Sequence, residues 1–358
     1  MKLRIYDAAP SAVCAPRAAR VVAAEELKGW LPVDALVCAG EPYVLWMDMR
    51  GVPLSEPFFQ QTVERARGER PARTELLTDI GALVALEKIS DSLPPTGFIF
   101  HASRCGSTLV SNACGAVRDT LVFSEPSAVD KLLGHFLTRA DGAEFRTRLW
   151  RIFLRAAVSA LGQRRAGQER GLVIKFACCG TLQLGLVKKL WPEVPRVFVY
   201  RDPSEIMVSN LNNVPDWMRV AEQPEHTAAV VGVGPSEITR MGPEEFCARA
   251  LGRFYDAAAE HADARTMLLA YEHINAETLA GVVRFFGAAP RPAEIEEIGR
   301  VSRLYSKDPA RRRAFGGDGD AKRTGATPLI REMAERWARE PYERLRQKAP
   351  TDDGSPRP

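Results

Sequence analysis

Gly97-Phe98-Ile99-Phe100-His101-Ala102-Ser103-Arg104-Cys105-Gly106-Ser107-Thr108-Leu109-Val110 is the stretch that decides the fold. It opens on a short, continuously apolar run that lacks the alternation of a strand with one wet face, which predicts a buried strand over 98–101. Small residues around a single Arg then predict a tight turn, and a helix is predicted over 107–117. A strand that passes through such a turn into a helix aims backbone N–H groups and the helix dipole at one spot, which makes an anion site. Gly106 allows close approach of the backbone. Cys105 adds a turn amide, Ser107 and Thr108 add hydroxyls, and Arg104 adds a fixed charge. The order is not that of a GxxxxGK[ST] nucleotide loop, because Gly106, not Lys, precedes Ser107.

Moving outward, short apolar runs recur at 121–123, 172–176, 196–200 and 266–270. They alternate with helical patterns at 143–161, 182–190, 204–213, 243–261, 276–286 and 328–345, the last with Thr327 as its cap and Pro328 at its first position. Alternation of this kind predicts βαβ units and a parallel sheet covered on both faces. Residues 215–242, with scattered Gly and Pro, are expected to form a long loop. Residues 1–94 read as an irregular N-terminal extension packing on the main domain, with one strand at 43–47 and an amphipathic stretch from Phe58 to Arg67. Residues 95–348 form the main domain, and 349–358 a disordered tail.

Composition narrows the function classes. With 46% hydrophobic and 26% charged residues in 358, the chain has enough apolar material for a full core, so disorder is excluded as the main state. No run approaches a membrane span, and Met1–Tyr6 is followed by Asp7 without an apolar leader core, so the expected location is the cytoplasm with no membrane partner. A net charge of +4 is too small to argue for nucleic acid, and none is expected as a partner. Seven Cys without paired CxxC spacing, and five His without HExxH, point to reduced, mostly buried thiols and no metal.

A second segment adds a second anion element. Residues 196–200 read as a core strand ending in Arg201-Asp202-Pro203, with Ser209 about two turns along the following helix, roughly 9 Å of rise. An Arg fork and a hydroxyl at the carboxyl edge of a sheet form a phosphate clamp. Taken together, HASRCGSTLV and YRDPSEIMVSNL resemble the two nucleotide-binding elements of the sulfotransferases that use 3′-phosphoadenosine 5′-phosphosulfate (PAPS). The resemblance covers about 95–345. It implies a three-layer, P-loop-like α/β fold with a central parallel sheet, a turn that cradles the 5′-phosphosulfate, and Arg201 with Ser209 on the 3′-phosphate. Leu269-Ala270-Tyr271-Glu272 resembles the family strand whose Tyr lies near the adenine.

Within that family the catalytic pattern is most similar to that of the tyrosylprotein sulfotransferases. The resemblance implies Arg104 in the turn, Glu125 as base, Lys175 on a later strand and Ser306 in a late loop, with Lys307 opening a basic segment over the 3′-phosphate. Arg311, Arg312, Arg313, Lys322 and Arg323 continue that segment. The chain departs from that subgroup in its segments between motifs, so the protein-tyrosine substrate is not carried over. The acceptor class stays open among small molecules, glycans and peptides. Bland readings stand beside each role: Lys175 as half of a structural ion pair, Glu125 as a helix cap, His101 as support or as an alternative base. Trp30, Trp46, Phe58 and Phe59 read as core or as an acceptor wall. The competing functions are a nucleoside triphosphate-dependent kinase and a non-catalytic nucleotide-binding module.

Overall fold

The computed structural model describes residues 1–6, 18–38, 41–69, 75–138, 144–220, 222, 224–304, 306–308, 322 and 324–349. The N-terminal extension is not irregular. Strands β1 (Lys2–Tyr6), β2 (Ala18–Ala23), β3 (Trp30–Cys38), β4 (Glu41–Asp48) and β5 (Glu75–Asp79) form an antiparallel sheet in the order β2-β1-β5-β4-β3. Pro32 and Pro42 hid the hairpin in the sequence. Pro32 is tolerated because β3 is an edge strand and its register shifts between Pro32 and Asp34. The expected strand at 43–47 lies inside β4, and the amphipathic stretch is helix Phe59–Glu69.

The main sheet contains β6 (Gly97–His101), β7 (Thr120–Ser124), β8 (Gly171–Lys175), β9 (Arg196–Tyr200) and β10 (Thr266–Ala270). Its order is β10-β9-β6-β8-β7 and every pair is parallel. Each expected strand is present, with ends shifted by at most two residues. Both β6 and β9 are buried along their whole length, as central strands with helices on both faces must be. Helix Ser107–Gly115 packs with Ala276–Phe285 and Pro292–Val301, while Pro243–His261 packs with Leu184–Leu190 and Pro203–Asn212. Right-handed crossovers put these two groups on opposite faces.

Residues 215–242 are not a long loop. They hold a 3-10 turn, Asp216–Met218, and helices Pro224–Val231 and Pro235–Ile238. The prolines that read as loop punctuation stand at helix starts, where their missing N–H costs nothing. Helix Ser127–Thr138 was also missed, although Ser127 to Leu137 carries a helical apolar period.

The two sheets share one buried core. Polar clamps fix their registry. Ser127 donates to Asp34 Oδ1 at 2.8 Å and Lys131 pairs with Asp34. Gln163 donates to the Trp30 carbonyl at 2.7 Å and accepts from the Gly29 N–H at 3.0 Å. Among the described residues no helix is long and apolar enough to cross a membrane.

The C-terminal helix runs from Pro328 to Ala334, through a π turn at Glu335–Arg339, into Glu340–Lys348. Pro341 has no N–H to offer the Trp337 carbonyl four residues back, which accounts for the locally widened turn. Gly252 of helix Pro243–His261 faces that carbonyl, and a Cβ there would lie 2.2 Å from the Trp337 oxygen. Gly252→Ala is therefore expected to cost about 1–3 kcal/mol of stability by overpacking, read as a lower urea midpoint at unchanged m-value.

Candidate active site

All five parallel strands end at one edge. The chain leaves β6 toward the helix on one face and β8 toward the turn Cys178–Gln183 on the other. That divergence opens a crevice at the carboxyl ends of two adjacent strands. A cleft of about 1050 Å³ occupies this edge. Arg104, Cys105, Gly106, Ser107, Thr108, Glu125, Arg201, Ser209, Tyr271, Ser306 and Lys307 all border it, so the two sequence segments open on the same cavity. Lys175 does not border it but lies behind Glu125 and Phe58, which do.

The turn after β6 is conformationally costly. Ser103 (φ 69°), Arg104 (φ 46°) and Gly106 (φ 86°) are all left-handed. For a non-glycine residue this costs about 1–2 kcal/mol. Four contacts hold it: the Ser103 N–H donates to His101 Nδ1 at 3.1 Å and Ser103 Oγ pairs with Asn210 Oδ1 at 3.2 Å. Arg104 Nη2 donates to the Asn213 carbonyl at 2.9 Å, and the Cys105 thiol to the Val199 carbonyl at 3.0 Å. Burial raises the Cys105 thiol to about 11, so its side chain is an anchor and only its amide is placed for a ligand. A Cβ on Gly106 would sit 2.7 Å from Ile274 Cδ1 and 3.2 Å from the Tyr271 ring. Glycine is required there for both reasons.

Beside the turn lies a knot of charge. Lys175 ends β8 with its side chain fully buried and paired to Glu125. Glu125 is itself left-handed (φ 54°), and its N–H donates to the Lys175 carbonyl at 2.7 Å, so the backbones are tied as the side chains are. Burial pushes the Glu125 carboxyl up, but the Lys175 charge and His101 outweigh it and hold the group well below the usual carboxylate range.

His101 Nδ1 accepts from a backbone N–H, so the hydrogen of the neutral ring must sit on Nε2. Nε2 faces Glu125 Oε1 at 3.5 Å, and burial keeps the imidazole below its ordinary pKa despite that carboxylate. In this tautomer the buried Nε2–H makes no hydrogen bond, to Glu125 or to any other described group, and the ring is not placed as a base. Lys307 completes the cluster. Burial, then the charges of Arg104 and Lys175, push it down to about 8. Arg104, Lys175 and Lys307 lie near one another at this end of the cleft, with the carboxyls of Glu125 and Asp130 beside Lys175.

On the other side of the turn, Arg201 is buried, pairs with Glu205 at 2.6 Å, and lies 3.9 Å from the Tyr271 ring centroid. Asp202 caps the helix Pro203–Asn212 by accepting from Ser204 N–H at 2.9 Å. The Glu205 partner, one helical turn from Arg201, escaped the sequence reading. The Ser306 carbonyl accepts from Asn112 Nδ2 at 2.9 Å, which ties the late loop to the helix after the turn. Lys322 borders the cleft, while Arg311, Arg312, Arg313 and Arg323 lie outside the described residues, as does the tail from 350.

Of Trp30, Trp46, Phe58 and Phe59, Phe58 faces the charge cluster, 4.8 Å from Lys175 Nζ and 5.9 Å from Lys307 Nζ. Trp30 and Trp46 are buried core, and Phe59 packs edge-on against Phe123. The extension thus contributes a wall to the site. Also unforeseen were Asp130, Cys179 and His226 in the cleft lining. Asp130 and His226 stand on helices that the sequence reading missed. Among the described residues no group of His, Cys, Asp and Glu is arranged to hold a metal ion.

No family model and no curated protein matches the chain. Among solved structures it is similar to the sulfotransferase domain of the Synechococcus PCC 7002 olefin synthase, at 16% identity over 69% of this chain and 95% of that one, with a TM-score of 0.35. It is also similar to the sulfotransferase domain of the curacin biosynthetic pathway (16%, 69% and 98%, TM-score 0.37). A third is sulfotransferase STF9 from Mycobacterium avium (12%, 76% and 81%, TM-score 0.37).

The Lys175–Glu125 pair is asymmetric, and that asymmetry is measurable. Glu125→Ala strands a fully buried ammonium and is expected to cost about 3–5 kcal/mol. Glu125→Gln leaves an acceptor in place and is expected to cost less than half as much; denaturant titration of the two variants compares them.

Proposed function

We propose that this protein is a PAPS-dependent sulfotransferase acting on a hydroxyl, less readily an amine, of a small molecule, glycan or peptide. The observation that carries this reading is the single cleft onto which the 103–108 turn and the Arg201–Ser209 element both open. The residues present fit a doubly phosphorylated nucleotide: turn amides and a helix N-terminus for one anionic end, Arg201 and Ser209 for the other, Tyr271 between them beside Gly106. PAPS supplies an activated sulfuryl group and leaves as 3′,5′-adenosine bisphosphate. Protein cations offset the charge that grows on the leaving oxygen, so the proposal includes no metal.

Arg104 and Lys175 are the cations assigned to that oxygen, with Ser306 and Lys307 closing on the same end. Glu125 takes the proton of the acceptor hydroxyl. Paired with Lys175 it is a poor base. When Lys175 turns toward an anionic ligand, the Coulomb pull on Glu125 weakens and its proton affinity rises. Base activation is thereby coupled to nucleotide occupancy through one shared lysine. Phe58 shields both lysines from water and strengthens each electrostatic contact.

The test is calorimetric titration with 3′,5′-adenosine bisphosphate. Arg201→Gln combined with Glu205→Gln removes the clamp charge without stranding a buried carboxylate. It is expected to weaken binding by at least about tenfold, the worth of a charge-assisted hydrogen bond. Glu125→Gln is expected to keep or raise the affinity, since it frees Lys175, and to lower sulfuryl transfer by about 10²–10⁴. Unchanged affinity in the double variant overturns the 3′-phosphate assignment. Stabilisation by ATP with Mg²⁺ and not by the bisphosphate would favour the kinase reading. Tight binding with no transfer to a broad acceptor panel would favour the non-catalytic module.

Lys307 gives a pH signature. Anion binding favours its protonated form, so affinity is full below about 8 and falls as pH rises through that value. Titrations in buffers of different ionisation enthalpy should show proton uptake on binding near pH 8, and Lys307→Met should abolish it.

A further inference from the structure

His101 ends β6 with its side chain only 7% exposed, and the residue borders the cleft. Its two nitrogens are treated differently. Nδ1 accepts the Ser103 N–H at 3.1 Å and so supports the strained turn. Nε2, which carries the ring hydrogen, has no hydrogen-bond partner among the described residues. Glu125 Oε1 stands 3.5 Å away, outside the ordinary N–H···O range of about 2.7–3.2 Å, and that same oxygen is paired with Lys175. Native chains leave few buried donors unpaired, because an unpaired donor has given up water and gained nothing.

The position of this donor indicates what it serves. Through Ser103 the ring is anchored to the turn assigned to the sulfuryl-bearing end of the nucleotide. On its other side lies the carboxylate assigned to the acceptor proton. The group in transfer must pass between those two. Burial holds the ring neutral against the pull of Glu125, and the charges of Lys175 and Lys307 act in the same sense as burial. Nε2–H is therefore a donor that keeps its hydrogen. The acceptor hydroxyl is a poor partner for it, since that oxygen needs its lone pair for attack on sulfur. The non-bridging sulfuryl oxygens keep lone pairs and negative charge throughout the transfer.

We propose that His101 is a catalytic residue whose Nε2–H donates to a non-bridging oxygen of the transferring sulfuryl group. The proposal deepens the sulfotransferase reading and rests on it. In the transfer, the acceptor oxygen bonds to sulfur as the bond from sulfur to the 5′-phosphate oxygen breaks. The acceptor proton passes to Glu125, the electron pair of the broken bond leaves on the bisphosphate, and His101 neither gains nor loses a proton. A donor fixed in advance by the Ser103 contact needs no reorganisation as charge shifts.

Two substitutions separate the two nitrogens. His101→Asn keeps an oxygen near the Nδ1 position for the Ser103 N–H and has nothing at Nε2. His101→Gln returns an amide N–H near Nε2. Calorimetric titration with 3′,5′-adenosine bisphosphate, which has no sulfuryl group, is expected to give unchanged affinity in His101→Asn. Release of labelled sulfate from PAPS to water is expected to fall at least about tenfold in kcat in that variant, with KM kept, and to recover in part in His101→Gln. A second readout needs no turnover. In the full chain with nitrogen-15-labelled histidine, the His101 Nε2–H proton signal is assigned by its loss in His101→Asn. It is expected to move downfield with PAPS and to move less with the bisphosphate. Undiminished sulfate release in His101→Asn overturns the assignment. A signal that the two nucleotides move alike, or that neither moves although both bind, also overturns it and leaves Nε2–H to water or Glu125. A chain that binds neither nucleotide overturns the sulfotransferase reading itself, and the role of His101 with it.

Discussion

The buried ammonium of Lys175 is the constraint around which the site is organised. A charge with no exposed surface at the end of a parallel strand must be paired or be lost as a charge. Glu125 pairs it, and to do so takes a left-handed backbone directly before a proline, a conformation that costs about 1–3 kcal/mol. The exchange of backbone and side-chain contacts between these two residues locks the ends of β7 and β8 together. Two neighbouring strand ends are thus tied by one acidic group, with the ring of His101, at the end of β6, 3.5 Å away.

The cation excess that results gives the cleft its character. Arg104 stands on a strained turn, Lys307 on a late segment and Lys175 at the end of β8, with the carboxyls of Glu125 and Asp130 beside the last. The depression of Lys307 comes first from burial and then from the like charges of Arg104 and Lys175. Arg201 is handled differently. Its charge is matched by Glu205 and its face is covered by Tyr271, which presets its position beside the turn. One end of the cleft is electrostatically hungry and the other is geometrically prepared. The N-terminal sheet is part of the same construction, because Phe58 roofs two of the lysines and Asp34 pins the helix that carries Asp130.

The order β10-β9-β6-β8-β7 explains why residues as distant in the chain as 104, 125, 175, 201 and 271 meet. Each follows or ends a different parallel strand, and parallel strands bring their carboxyl ends to one edge. Helices leaving on opposite faces keep that edge open. The thiol and imidazole of Cys179 and His226 share the cleft for the same reason, one on the connection after β8 and the other on a helix inserted after β9.

The sequence by itself determined the parallel sheet, the strand–turn–helix loop after β6 and the strand-end Arg with its helix. These are local patterns, in which apolar run length, small turn residues and helical spacing are set by neighbours in the chain. It also placed Glu125 just beyond the apolar run 121–123 and Lys175 within the run 172–176, and the fold puts Lys175 at the end of β8. Only the tertiary structure decided that these ends converge, that Lys175 and Glu125 are partners, that His101 carries its proton on the nitrogen facing Glu125, and that Arg201 is matched by Glu205. It alone showed an antiparallel sheet where edge-strand prolines had masked the pattern, and helices where prolines at helix starts had read as a loop. Pairing, burial and tautomer depend on which groups are excluded from water together, and that is settled by packing between segments far apart in the chain.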